Sequence, residues 1–169
     1  TVTSKLITFR TKANTDPSTM NENPLNSVLT IDKNVTVVSN DMCAVYHTGS
    51  GSKVNVYGTL ESHGIYATIQ GNGTINDKEV DGGTVLNIFT GAVVKASKAA
   101  ITIYHPQGGT VNITGGTIEN EEGCGIEMRD GTLNISGDAA VISHADKYES
   151  DPNGSGSTTV GAAVAIAMY

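Results

Sequence analysis

One short pattern recurs along the chain, and it limits the fold more than any other feature: two apolar residues flanking a Thr or Asn. It reads Val28-Leu29-Thr30-Ile31, Val54-Asn55-Val56, Val85-Leu86-Asn87-Ile88, Val111-Asn112-Ile113 and Leu133-Asn134-Ile135. Its last apolar residues fall at 31, 56, 88, 113 and 135, at intervals of 25, 32, 25 and 22 residues. A second short apolar run follows each anchor, at Val35–Val38, Thr59–Leu60, Ala92–Val94, Thr117–Ile118 and Ala140–Ile142, usually across a glycine. A third is read at Cys43–Tyr46, Gly64–Tyr66, Ala100–Ile103, Gly125–Met128 and Ala163–Ile166. Each run is too short for a helix and alternates as a strand does.

A three-strand unit repeating every ~22–32 residues with its apolar positions aligned is the signature of a solenoid. Stacked coils place each strand beside its equivalent, ~4.8 Å away, so Leu86 and Ile88, Val111 and Ile113, or Leu133 and Ile135 share one interior. The intervening Asn55, Asn87, Asn112 and Asn134 then form an outer column, expected to be a ladder of side-chain amides. Right-handed crossover is the default for parallel connections. The expected fold is all-β: a right-handed parallel β-helix of about five coils with three short strands each. The alternative, a β-sandwich or jelly roll, also uses many short strands but has no reason to repeat a three-strand unit. A single domain is expected, with residues 1–27 as an N-terminal cap or incomplete coil and residues 28–169 as the helix proper.

Composition supports this and excludes other classes. Charged residues are only 16% of the chain, Gly numbers 20 and Trp is absent, unlike either a helical bundle or a disordered chain. The net charge of −7 with scattered Lys and Arg argues against nucleic acid as a partner. No apolar run reaches the ~18 residues of a membrane span, so no membrane insertion is expected. The start at Thr1, without Met or a basic-apolar leader, reads as a mature protein or an excised piece. The apolar stretch from Ala162 to Tyr169 is expected to meet further coils or a partner.

Gly-Gly-Thr-Val-Asn-Ile-Thr-Gly-Gly-Thr-Ile at 108–118 and Gly-Thr-Leu-Asn-Ile-Ser-Gly at 131–137 resemble coils of pectate-lyase-like β-helix proteins, especially the adhesin-like surface proteins of gut bacteria. The resemblance spans about residues 28–169 and implies a fold, not an activity, because such coils occur in lyases, hydrolases, phage fibres and adhesins alike. It implies an extracellular or cell-surface location.

The candidate binding residues are Tyr46, Tyr66 and Tyr104, read on or beside the third strand of coils one to three, with His105, Glu127 and Arg129 next to them. Rings repeated along a flat sheet can stack on sugars or anchor a protein. The expected partner is a glycan or a host surface protein. No cofactor is implied. His47 and His105 occupy matching places two coils apart, too far to share a zinc ion. Asp151, Asn153 and Ser155 imitate the first half of a calcium loop, but Ala162 stands where the closing Glu belongs. Cys43 and Cys124, three coils apart, read as buried free thiols. The acids Glu119, Glu121, Glu122, Glu127 and Asp130, with Arg129, support an alternative reading as a polysaccharide lyase or glycoside hydrolase fragment. A third reading is a structural stalk.

Overall fold

The computed structural model describes residues 1–11, 27–49, 51–71, 83–106, 108–147, 149–150 and 159–166. The chain winds around three parallel sheets as a right-handed parallel β-helix of about five coils. Sheet 1 contains Val2–Ser4, Thr36–Ser39, Thr59–Ser62, Val93–Ala96, Thr117–Asn120 and Ala140–Ser143. Sheet 2 contains Phe9–Arg10, Val45–His47, Ile69–Gly71, Ile101–His105, Cys124–Met128 and Val164–Ile166. Sheet 3 contains Val28–Ile31, Lys53–Val56, Thr84–Ile88, Gly109–Ile113 and Thr132–Ile135. The chain visits them in strict rotation, so each strand pairs with equivalents one coil away.

The anchors lie in one column: Ile31 pairs Val56, then Ile88, Ile113 and Ile135. Alternation sends these residues, and the column of Leu29, Val54, Leu86, Val111 and Leu133, to the inside. Sheet 1 adds Val2, Val37, Leu60, Val94, Ile118 and Val141. Sheet 2 adds Phe9, Val45, Ile69, Ile103, Ile126 and Val164. In the middle coils every one of these side chains is buried. Each contributes about 1.5–3 kcal/mol relative to exposure, which is the main force holding successive coils together.

Two polar columns complete the stacking. On the outer face of sheet 3, Asn55 Nδ2 donates to Thr30 Oγ1 at 3.4 Å and Asn87 Nδ2 to Asn55 Oδ1 at 2.8 Å. The chain continues with Asn112 on Asn87 at 3.0 Å and Asn134 on Asn112 at 2.9 Å. The amide ladder expected from the sequence is present, and every amide donates in the same direction. At the corner between sheets 1 and 2, buried or half-buried polar side chains reach carbonyls of the preceding coil. Ser62 Oγ donates to Met42 O at 2.7 Å, Asn120 Nδ2 to Ala99 O at 3.1 Å and Ser143 Oγ to Gly123 O at 2.6 Å. Their burial is thereby compensated.

Tight corners need glycine where coils touch. Gly116 has φ of 82°, and a Cβ there would sit 2.7 Å from Ala92 O in the coil below, so both the left-handed backbone and the close approach exclude larger residues.

One reading of the sequence is corrected. The third strand of coil two is Ile69–Gly71, not Gly64–Tyr66. Gly64 instead rounds a corner, where a Cβ would come within 2.2 Å of Asp41 O, and Ile65 is 72% exposed. Residues 1–11 hold two sheet strands, Val2–Ser4 on Thr36–Ser39 and Phe9–Arg10 on Val45–Tyr46. In the last coil, the segment between sheets 1 and 2 includes a short antiparallel pair, Glu149–Ser150 with Thr159–Val160.

The ladder makes a graded stability prediction. Asn87→Ala removes a donor and an acceptor from the middle of the column and is expected to cost about 1–3 kcal/mol. Asn134→Ala, at the exposed end with one bond, is expected to cost less than about 1 kcal/mol. Denaturant unfolding of the two variants checks this; equal losses would contradict the ladder.

Candidate functional site

Sheet 2 presents one outward column across the coils. Arg10 pairs Tyr46, Tyr46 pairs Gln70, Gln70 pairs Tyr104, Tyr104 pairs Glu127 and Glu127 pairs Ala165. Tyr46 and Tyr104 are half-buried, and each carries a guanidinium: Arg10 Cζ lies 5.2 Å from the Tyr46 ring centre, and Arg129 Cζ lies 5.9 Å from that of Tyr104. These are cation–π distances.

Arg129 and Glu127 are two residues apart on one edge and form a pair, Nε donating to Oε1 at 2.7 Å. The pair is almost wholly dry, with side chains 4% and 0% exposed. Burial raises the Glu127 carboxyl above its ordinary range, and the Arg129 bond offsets part of that. Glu127 Oε2 has no hydrogen-bond partner among the described residues. Beside the pair, Ile101, Cys124 and Ala165 form a small apolar cluster against which Ala100, Tyr104 and Ala162 pack. Glu127 therefore acts as a buried brace of this face, holding Arg129 against Tyr104.

Of the sequence-predicted residues, Tyr46, Tyr104, Glu127 and Arg129 come together on this face. Tyr66 does not: it lies in the corner segment before the Ile69–Gly71 strand, 45% exposed, and Gln70 takes its place in the column. His105 does not either. It follows Tyr104, so alternation turns it inward, where it is 2% exposed. Arg10 and Gln70 escaped sequence reasoning because neither is aromatic and their rung is set by pairing alone. The stacked pair Tyr57 and Phe89, with ring centres 4.2 Å apart and planes within 3°, was also missed. Its signal was available, since each ring directly follows an anchor, Val56 or Ile88.

His105 and His47 share an inward column with Gly71 between them and Met128 beyond. Both are buried, and His47 Nε2 lies 3.3 Å from Ser52 O. Burial pushes each imidazole down to about 4, and for His105 the neighbouring His47 adds to the effect. Among the described residues no three of His, Cys, Asp or Glu come together in a way that could hold a metal ion. Asp151, Asn153, Ser155 and Tyr169 lie outside the described residues.

The coil-four acids divide between two sheets. Glu119 and Glu121 are on or beside sheet 1, ion-paired with Lys95 at 3.4 and 2.6 Å, and His144 Nε2 lies 2.7 Å from Glu119 Oε1. The His144 hydrogen bond, followed by Lys95, holds the Glu119 carboxyl below its ordinary range. Glu127 faces outward from sheet 2 and is committed to Arg129. Glu119 and Glu121 thus share Lys95, while Glu127 pairs with Arg129. Cys43 and Cys124 are buried free thiols, as expected, raised by burial to about 11 and about 12, with Glu127 contributing at Cys124.

Comparison with family models, curated proteins and solved structures returns no match.

Two measurements follow from these environments. The buried imidazoles bind protons more weakly folded than unfolded, so stability is full above the ordinary histidine value of 6.5 and falls as pH drops from there toward 4. The loss is expected to reach up to about 3 kcal/mol per imidazole, with the raised Glu127 offsetting part of it. Stability measured from pH 7.5 to 4.5 should fall less steeply in His105→Leu than in the parent; identical slopes would contradict the assignment. Both thiols should resist a neutral-pH alkylating reagent until denaturant unfolds the chain. Rapid labelling of the folded protein would contradict their burial.

Proposed function

We propose that this chain is a non-enzymatic module of an extracellular or cell-surface bacterial protein that binds a glycan, or alternatively a host surface protein, through the outer face of sheet 2. The observation that carries this reading is the aligned column of Arg10, Tyr46, Gln70 and Tyr104. Guanidinium, ring, amide and ring follow one another at about 4.8 Å per coil. Rings offer apolar faces to sugar rings, while the amide and guanidinium supply donors and an acceptor for hydroxyl groups. Glu127 and Arg129 lend the face rigidity, because their buried pair fixes the guanidinium against Tyr104. Pre-ordered side chains lose little entropy on binding, which favours recognition by a flat surface.

The resemblance of residues 108–118 and 131–137 to coils of adhesin-like β-helix proteins supports the cell-surface part of the reading. The commitment of Glu119 and Glu121 to Lys95, and of Glu127 to Arg129, supports binding over catalysis.

A glycan array identifies the ligand, and affinity for the best glycan is then compared among variants. Tyr46→Ala and Tyr104→Ala are each expected to weaken binding about tenfold, the equivalent of ~1.4 kcal/mol. Tyr66→Ala, off the column, should bind like the parent. Unchanged affinity in both column variants would overturn the reading. Binding of host proteins but no glycan would replace the ligand class.

A further inference from the structure

Each outward ring of sheet 2 is joined in sequence to a buried imidazole. Tyr46 precedes His47 and Tyr104 precedes His105, while Gln70 precedes Gly71 on the strand between them. Alternation sends the first residue of each pair to the outer column and the second into the core. The strands that present the proposed ligand face therefore hold the core's two imidazoles on their inner side.

That core has little to offer a charged ring. His47 Nε2 lies 3.3 Å from Ser52 O, a neutral carbonyl, and His105 Nε2 has no hydrogen-bond partner among the described residues. Along their own column the neighbours are Gly71 and Met128, neither of which balances a charge. The inward positions of sheets 1 and 3 on the same coils are aliphatic, with Val37, Leu60 and Val94 on one and Leu29, Val54 and Leu86 on the other. Among the described residues, the charged groups acting on the two rings are each other and, at His105, the Asp130 carboxylate, which offsets part of the burial. A first proton thus enters an uncompensated interior, and a second meets the first only two rungs away, about 9.6 Å.

Solenoid strands bond only to their equivalents one coil away, so a few coils can open while the others stay folded. Coil four places Met128 at the matching position, and it takes no proton. Its Glu127, raised by burial, responds to acid in the opposite sense.

We propose that acid releases this face: protonation of His47 and His105 opens strands Val45–His47, Ile69–Gly71 and Ile101–His105 and takes apart the outer column of Tyr46, Gln70 and Tyr104. The release of ligand rests on the binding reading above, whereas the opening does not. Open strands return each imidazole to its ordinary value of 6.5, while the closed core holds it at about 4. Protons therefore leave the closed form untouched above 6.5 and favour opening increasingly from there down to 4. Between pH 7.5 and 5 the open population rises about thirtyfold for one imidazole and roughly 700-fold for both.

Hydrogen exchange read by NMR at pH 7.5 and 5, corrected for the intrinsic pH dependence of each amide, tests this. Protection of the three strands is expected to fall roughly 700-fold and to end below that of the coil-four strands Gly109–Ile113 and Thr117–Asn120. In His105→Leu the fall should shrink to about thirtyfold. His63→Leu, which removes an exposed imidazole, should keep the full fall. Unchanged protection, a fall shared equally by all coils, or a full fall in His105→Leu would overturn the proposal. Should His105→Leu not fold, the coil-by-coil pattern of the parent still decides. Affinity for the best glycan should drop over the same pH range, and drop less in His105→Leu. A glycan held equally tightly at both pH values while the strands open would overturn the release. A chain that binds no glycan at any pH overturns the reading of the face, and the exchange pattern then decides the opening by itself.

Discussion

Everything in this molecule depends on equivalent residues lying directly above one another at the spacing of a parallel sheet. The backbone bonds between coils impose that spacing, and it leaves each side chain facing a copy of its own position. Aliphatic residues profit, because identical branched chains in a column exclude water on both sides. Like charges would suffer, since like would meet like. Asn suits this stacking because its amide both donates and accepts, so Asn55, Asn87, Asn112 and Asn134 satisfy one another down the column. Charged columns must instead alternate in sign, as Glu61, Lys95 and Glu119 do on sheet 1.

The same rule explains the low charge of the chain and the location of its chemistry. Three outer faces carry three solutions to stacking: amides on sheet 3, alternating charges on sheet 1, and rings with guanidinium groups on sheet 2. Only the last combines half-buried aromatic surface with ordered donors, which is why the proposed binding is assigned to that face. The interior also absorbs exceptions. His47 and His105 fit into an apolar column because Gly71 between them contributes no side chain, and their neutrality is the condition of that burial.

Much of this was legible before any coordinates, and the failures have a common cause. The anchors at 31, 56, 88, 113 and 135 were readable because apolar alternation around a repeated Asn marks face and rung at once. The third strand of coil two was not. Gly64-Ile65-Tyr66 imitates Gly125-Ile126-Glu127 in composition, yet rung is decided by distance along the chain. The inner positions of sheets 1 and 2 are eight or nine residues apart in successive coils: Val37 to Val45, Leu60 to Ile69, Val94 to Ile103, Ile118 to Ile126. Counting from Leu60 selects Ile69 and turns Tyr66 into a corner residue. His105 adjoins Tyr104 in sequence, but alternation places adjacent residues on opposite faces, so it turns away from the outer column. Arg10 and Arg129 owe their ring contacts to cross-coil neighbours, Tyr46 and Tyr104, which no local pattern encodes.

Proton–proton contacts in solution test the stacking most directly. Nuclear Overhauser spectra of labelled protein should join the side-chain amide of Asn112 to that of Asn87, and backbone protons of Val111 to those of Leu86, in parallel register. Asn112 should show no contact to Asn55, two coils away. Contacts joining Leu86 to Ile113 in an antiparallel sense, or linking Asn112 directly to Asn55, would contradict the account.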